Sequence, residues 1–219
     1  GGAIDVVADG AMGDVERIFA LHCDPRLAVG RLGTRVGPIT SACDVVEVRL
    51  TSPGGHTARP HLTADLVEAL GLLITQLPLL LTRQVDPRSG TVLVWGAVQS
   101  GEAANAIPQQ GVLRGTLRTA DHATWTLLEE KFRSLVAAVL APTGVGYVID
   151  HIRGVPPVVN EADSSEILRD AAILTGGLEA AADTEQSSGG EDFAWYLEKV
   201  PGAMARLGVW SGVGPMKDI

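Results

Sequence analysis

The chain has 219 residues, which at about 150 residues per domain allows one or two domains. Hydrophobic residues make up 46% and charged residues 20%, a balance that excludes disorder as the main state. With 17 basic and 26 acidic residues the net charge is −9, which argues against nucleic acid or an anionic membrane surface as partner. The apolar run Leu77–Leu81 is broken by Pro78 and falls far short of the ~18 residues of a membrane span. Residues 1–10 have no basic start and no long apolar run, so a secretory signal is not expected there. Cys23 and Cys43 are too few for a disulfide scaffold and suit a reducing cytoplasm.

In chain order, Arg17-Ile18-Phe19-Ala20-Leu21 is a short apolar run stopped by Asp24-Pro25. It predicts a buried, parallel strand. Gly30, Gly33 and Gly37-Pro38 mark a loop and a domain crossing. From Cys43 to Thr51, Val46, Val48 and Leu50 alternate with Val45, Glu47, Arg49 and Thr51, the pattern of a half-exposed strand. Thr63–Arg83 places Leu66, Leu70, Leu73 and Leu77 at helical spacing, with Pro78 expected to kink or end the helix. Thr91–Gln99 predicts a strand with Val92, Val94 and Val98 on one face. Gly111–Thr119 predicts another, with Arg114, Thr116 and Arg118 on its polar face. Asp121 caps a second helix to Leu140, and Gly146–Arg153 is a further strand.

After Pro156-Pro157, Asp163-Ser164-Ser165 is expected to cap a helix that turns Ile167, Leu168, Ala171 and Leu174 inward and stops at Gly176-Gly177. Glu191-Asp192 open a short helix to Lys199. Ala203–Val209 reads as a buried strand. The expected fold is therefore α/β. One α/β domain, residues 1–38 and 154–219, is interrupted by a ferredoxin-like βαββαβ domain, residues 39–153.

Several residues could carry chemistry. His22 stands at a strand end, where open α/β sheets bind ligands. By position it is either a metal ligand or a locally satisfied histidine. Gly54-Gly55-His56 and Arg59-Pro60-His61 lie in one loop. His56 could donate to a developing oxyanion, or the loop could be an ordinary glycine turn. Asn105 at a loop tip offers both a donor and an acceptor. Arg114 and Arg118 could hold a ligand carboxylate, or pair with Glu47 or Asp44. The Gly189-Gly190 pair ahead of Glu191-Asp192 could present backbone N–H groups to an anion, or cap a helix.

Taken in order, Gly1-Gly2-Ala3, Leu21-His22-Cys23-Asp24-Pro25, Gly54 to His61, Asn105-Ala106-Ile107-Pro108, Arg114 to Thr119 and Gly189-Gly190-Glu191-Asp192-Phe193 resemble the M20 metallopeptidase and amidohydrolase family. The likeness is to its N-acyl-amino-acid, hippurate and auxin-conjugate branch. The resemblance implies a zinc-peptidase-like catalytic domain and an inserted lid that also dimerises. It implies amide hydrolysis of N-acyl amino acids or dipeptides by two divalent ions, with zinc, manganese and cobalt as candidates, in a cytoplasmic homodimer. It makes His22 a metal ligand and His56 the lid histidine that reaches the partner subunit's site. Asn105 and Arg118 would hold substrate, and Gly190 would line its pocket.

The family's bridging Asp, its Glu-Glu pair and its last ligand His match nothing in this chain, so the 219 residues are expected to be a fragment that is inactive alone. A catalytic zinc takes three protein ligands. The alternatives are a non-catalytic module for amino-acid binding or dimerisation, and a dipeptidase of the same family.

Overall fold

The computed structural model describes residues 2–214; Gly1, the first residue of the Gly1-Gly2-Ala3 match, lies outside them. The elements run α1 (Ala3–Ala8), β1 (Ile18–Ala28), β2 (Leu32–Thr34), β3 (Gly37–Pro38), β4 (Ala42–Thr51) and β5 (Gly55–His56). Next come α2 (Leu66–Leu81), β6 (Val92–Ser100), β7 (Ala106–Ile107), β8 (Gln110–Thr119), α3 (His122–Leu140) and β9 (Gly146–Val155). The chain finishes with β10 (Val159–Asn160), α4 (Ala162–Gly176), β11 (Ala181–Asp183), α5 (Ala194–Leu197) and β12 (Gly202–Trp210). Two compact units result: Gly1–Ala42 with Val155–Ile219, and Cys43–Gly154.

The first, discontinuous unit holds a sheet in the order β1-β12-β2-β11. β1 runs parallel to β12, with Ile18 opposite Gly202 and His22 opposite Arg206. One face packs Ile18, Ala20 and Met204 against Ile39, Val158, Phe193 and Ala194. On the other, Phe19 and Leu21 of β1 and Leu207 and Val209 of β12 are 39–59% exposed, while Ala203 and Ala205 are fully buried, so β1 is buried on one face and β12 on both as far as Arg206. Asp24-Pro25 does not end β1, which continues to Ala28 with an irregularity after Asp24. An edge strand tolerates Pro there because no neighbour needs its N–H.

Asn160 is 3% exposed. Its amide donates to Met204 O and accepts from Met204 N, both at 2.8 Å, so a side chain supplies the pairing that short β2 does not reach. Glu161, not Asp163, caps α4, accepting from Ser164 N at 2.8 Å. The expected inward face of α4 is displaced: Ser164 and Ser165 are buried, while Ile167 and Leu174 are 46% and 90% exposed. The two small serines let the helix settle on a face one residue round from the apolar one. The expected helix at Glu191-Asp192 starts only at Ala194. Asp192 instead accepts from Ala3 N at 3.1 Å, holding the first turn of α1.

The second unit holds a sheet in the order β6-β8-β4-β9. Val46, Val48 and Leu50 of β4 join Leu113 and Leu117 of β8 in a core with Leu66, Leu70, Leu73 and Leu77 of α2 and Leu128 and Phe132 of α3. Asp65 caps α2, accepting from Val67 N and Glu68 N at 3.0 Å. Pro78 does not end this helix. Leu77 and Leu81, at 0% and 2% exposure, are each worth about 1.5–3 kcal/mol in burial, which offsets the ~3 kcal/mol cost of an internal proline. In β6 the register against β8 shifts between Trp95 and Ala97. Such a bulge moves later side chains to the other face. Val98 accordingly stands opposite Leu113, and not on the face of Val92 and Val94.

Asp44, 1% exposed, accepts from Trp125 Nε1 at 2.9 Å, His151 Nε2 at 2.7 Å and Gly154 N at 3.0 Å. Arg153 stacks on the Trp125 ring at 3.8 Å. Burial pushes the Asp44 carboxyl up, but the hydrogen bonds from His151, Trp125 and Gly154 outweigh it and hold the group below its ordinary value. An acid lowered in this way contributes stability above its unfolded pKa and loses it as pH falls through the folded one. Asp44→Ala should destabilise the second unit by about 3 kcal/mol near neutral pH, since three donors lose their acceptor. Urea melts of the two proteins should converge as pH drops below the ordinary carboxylate range. A constant gap across that range would contradict the linkage.

Candidate active-site residues

His22 lies on β1, and its Nδ1 sits 2.9 Å from Cys23 O. A carbonyl only accepts, so Nδ1 carries a proton and Nε2 is the ring nitrogen left for another partner. Metal-bound histidines are arranged this way, one nitrogen donating to a carbonyl and the other free for the ion. Glu191 Oε2 stands 3.9 Å from that Nε2. The segment bearing exposed Gly190 and Glu191 is laced to the chain before β4: Ser187 N donates to Ile39 O and Ser41 N to Gly189 O, both at 3.0 Å.

Two residues beyond His22, buried Asp24 accepts from Arg26 N at 2.8 Å, Arg26 Nη2 at 3.1 Å and Arg26 Nε at 3.2 Å. Burial pushes the Asp24 carboxyl up, but the bonds and charge of Arg26, with the charge of Arg206, keep it below its ordinary value. Among the described residues no group of three or more His, Cys, Asp or Glu could hold a metal ion. His22 is thus oriented as a ligand, but the described donor set does not complete a metal site.

In the second unit two distant loops meet. Gly55 pairs with Ile107 and His56 with Ala106, and Thr57 N donates to Asn105 O at 3.2 Å. Gly54 has φ +72°, and a Cβ there would come within 2.7 Å of Gln109 Cγ and 3.1 Å of Ile107 O. Thr63 Oγ1 donates to Gly54 O at 2.8 Å, fixing the loop from the other side. His56 Nδ1 accepts from Ala58 N at 3.0 Å. Its proton therefore sits on Nε2, leaving an outward N–H donor.

The ribbon brings His56 and Asn105 together, with Asn105 exposed. Arg118 stands elsewhere, near the far end of β8 opposite Val92. Arg114 is bonded to Glu47, which Arg49 also holds at 2.6 Å. Arg49 further pairs with Asp150 at 2.5 Å. The open groove of about 1150 Å³ over this end of the sheet, which Arg49 and Arg114 line, thus has both cations matched by carboxylates.

Two neighbours of His22 escaped the sequence: Glu191, which reads as a helix-opening acid, and Arg206, which lies inside an apolar strand. The only hint of Arg206 is a charge in the otherwise apolar run Ala203–Val209. Among the described residues no helix is long and apolar enough to cross a membrane.

Known proteins share this architecture. A crystal structure of a Bacillus subtilis dinuclear metal-binding peptidase of family M20 matches with a TM-score of 0.77 and 28% identity, over 94% of this chain and 51% of that one. N-acetyl-L-cysteine deacetylase of Bacillus subtilis is 31% identical over 94% of this chain and 49% of its own length. A Rhodococcus jostii protein provisionally named glutamate–cysteine ligase 2-3 is 55% identical over 100% of this chain, but over 28% of its own length. The chain thus spans about half the length of the two Bacillus proteins and about a quarter of the Rhodococcus one. Its mixed α/β fold is that of the M20 peptidases, and residues 1–217 match the model of peptidase family M20/M25/M40, so the chain belongs to that family.

Proposed function

We propose that the complete protein is a metal-dependent amidohydrolase that cleaves the amide bond of N-acyl amino acids. The observation that carries this reading is the opposite setting of two histidines. Backbone hydrogen bonds engage Nδ1 of His22, leaving its Nε2 for a ligand contact, and give His56 an outward N–H. The first suits a metal ligand, the second an oxyanion donor. In this reading Asn105 and Arg118 hold the carboxylate and carbonyl of the substrate, and Gly190 lines its pocket with backbone. The remaining metal ligands and the general base lie outside these 219 residues, and the metal chemistry rests on them. Two divalent ions, zinc, manganese or cobalt, fit the dinuclear relative. The deacetylase relative supports an N-acyl amino acid over a dipeptide as substrate. The Rhodococcus name supports no ligase reading, because 72% of that protein lies outside the match.

Residues 39–153 take the role of a ferredoxin-like lid and dimerisation domain, and residues 1–38 and 154–219 that of catalytic-domain segments. The strand order β6-β8-β4-β9, with two helices in the shared core, supports the first assignment. The exposed edge strand β6 is the natural place for a second copy to pair. Two free cysteines suit a cytoplasmic protein.

The test is hydrolysis of N-acetyl amino acids by the complete protein. His56→Ala should lower kcat about 10²–10³-fold with unchanged circular dichroism; near-normal turnover would remove the donor role. His22→Ala should weaken metal binding, by elemental analysis, more than the ~10–100-fold expected of a residue that merely supports a ligand. A dimer is expected in light scattering at micromolar concentration, and a monomer would exclude His56 acting across subunits. A complete protein that binds no metal and cleaves no amide would instead be the binding module.

A further inference from the structure

On the face of the first unit's sheet away from His22, a cavity of about 350 Å³ opens between the end of β2, α4 and the end of β11. Strand alternation fixes which face this is. Gly33 stands opposite Arg206, and Arg206 opposite His22, so these three share one face. Thr34 therefore points the other way, together with its register partner Asp183. Arg169 of α4 donates to Asp183 Oδ1 at 3.0 Å, so this second face is the one α4 covers. The volume is at the small end of the roughly 300–1,000 Å³ usual for small-molecule sites.

Four charged side chains line the cavity: Arg35, Glu166, Arg169 and Asp183. Arg169 and Asp183 are spent on each other. Arg35 and Glu166 are not. The backbone of Arg35 is held on two sides, its carbonyl accepting from Asn160 Nδ2 at 2.9 Å and Ser165 Oγ at 3.3 Å. Its Nε donates to Pro38 O at 2.8 Å, which orients the guanidinium. The two terminal nitrogens donate to nothing among the described residues. Glu166, exposed on α4, accepts nothing among them either. Beside Arg35, Thr34 is 6% exposed, yet its hydroxyl also lacks a partner among the described residues and keeps solvent contact. A buried hydroxyl left unpaired is costly.

We infer that this cavity is a binding site for a free α-amino acid. One wall offers an oriented guanidinium and a hydroxyl donor, the pattern that takes a carboxylate. The other offers a lone carboxylate, the match for an ammonium group. A simple anion would leave Glu166 beside a like charge, and a simple cation would do the same to Arg35. Only a small zwitterion satisfies both. Val36 and Ala162 supply the apolar part of the lining, which suits a small aliphatic side chain. An acylated amino acid does not fit, because its amide nitrogen carries no charge for Glu166. The site stands on these residues alone, whatever bond the complete protein cleaves.

The test is calorimetric titration of the complete protein with L-valine, which should bind saturably. 3-Methylbutanoate, which lacks the ammonium, and 2-methylpropylamine, which lacks the carboxylate, should each bind about 10–100-fold more weakly, the worth of a hydrogen bond to a charged group. Glu166→Gln changes an exposed helix position that has no bond to lose. It should weaken L-valine by the same factor and leave 3-methylbutanoate unchanged. Arg35→Met should weaken both. Absence of saturable L-valine binding would overturn the inference. So would L-valine binding that survives both substitutions, since the amino acid would then sit elsewhere on the protein. Equal affinity for 3-methylbutanoate and L-valine would overturn the amino-acid assignment and leave a plain carboxylate site.

Discussion

A unit whose sequence interrupts another must begin and end side by side. The buried carboxylate of Asp44 meets that constraint for residues 43–154. It stands on the incoming strand, takes the backbone N–H of Gly154 on the outgoing strand, and ties both to α3 through Trp125. β4 and β9 are neighbours in the sheet, so one acceptor closes the unit where its two ends meet. The leucine core of α2 and α3 then builds on a sheet whose first and last strands are already joined. Phe132 meets His151 edge-on, which connects the polar closure to the apolar core.

Much of this was legible in the sequence because it is local. The alternation of Val46, Val48 and Leu50, the leucine spacing of α2 and the Asp121 cap each follow from neighbours within a few residues. Apart from the cap of α4, which is local, the departures arise from long-range packing. The bulge after Trp95 is set by register against β8, and turns Val98 away from Val92. The seat of α4 is decided by Ser164 and Ser165, small residues that no apolar periodicity singles out. Pro78 is carried by leucines already committed to the core.

The site residues divide in the same way. His22, His56 and Asn105 stand out by residue type and motif. What sets their chemistry is invisible in a motif: a carbonyl under one imidazole and an amide N–H under the other. The meeting of the His56 and Asn105 loops depends on a two-residue ribbon between segments far apart in sequence. Arg206 is the extreme case, since a lone charge in an apolar strand gains meaning only once His22 and Gly33 stand on either side of it. The lesson is physical: tautomer and burial are properties of neighbours, and neighbours are assigned by the sheet.

The exposed strip on β1 and the end of β12 has a colloidal consequence. Parallel pairs are normally covered on both sides, yet Phe19, Leu21, Leu207 and Val209 here form an apolar strip on a chain of net charge −9. Mutual repulsion between chains opposes contact of these strips at neutral pH and low salt. Screening by salt removes that opposition, and approach to the isoelectric point near 5.0 abolishes it. Buffer composition therefore governs whether copies of this chain stay apart, through a surface that has no part in closing either unit.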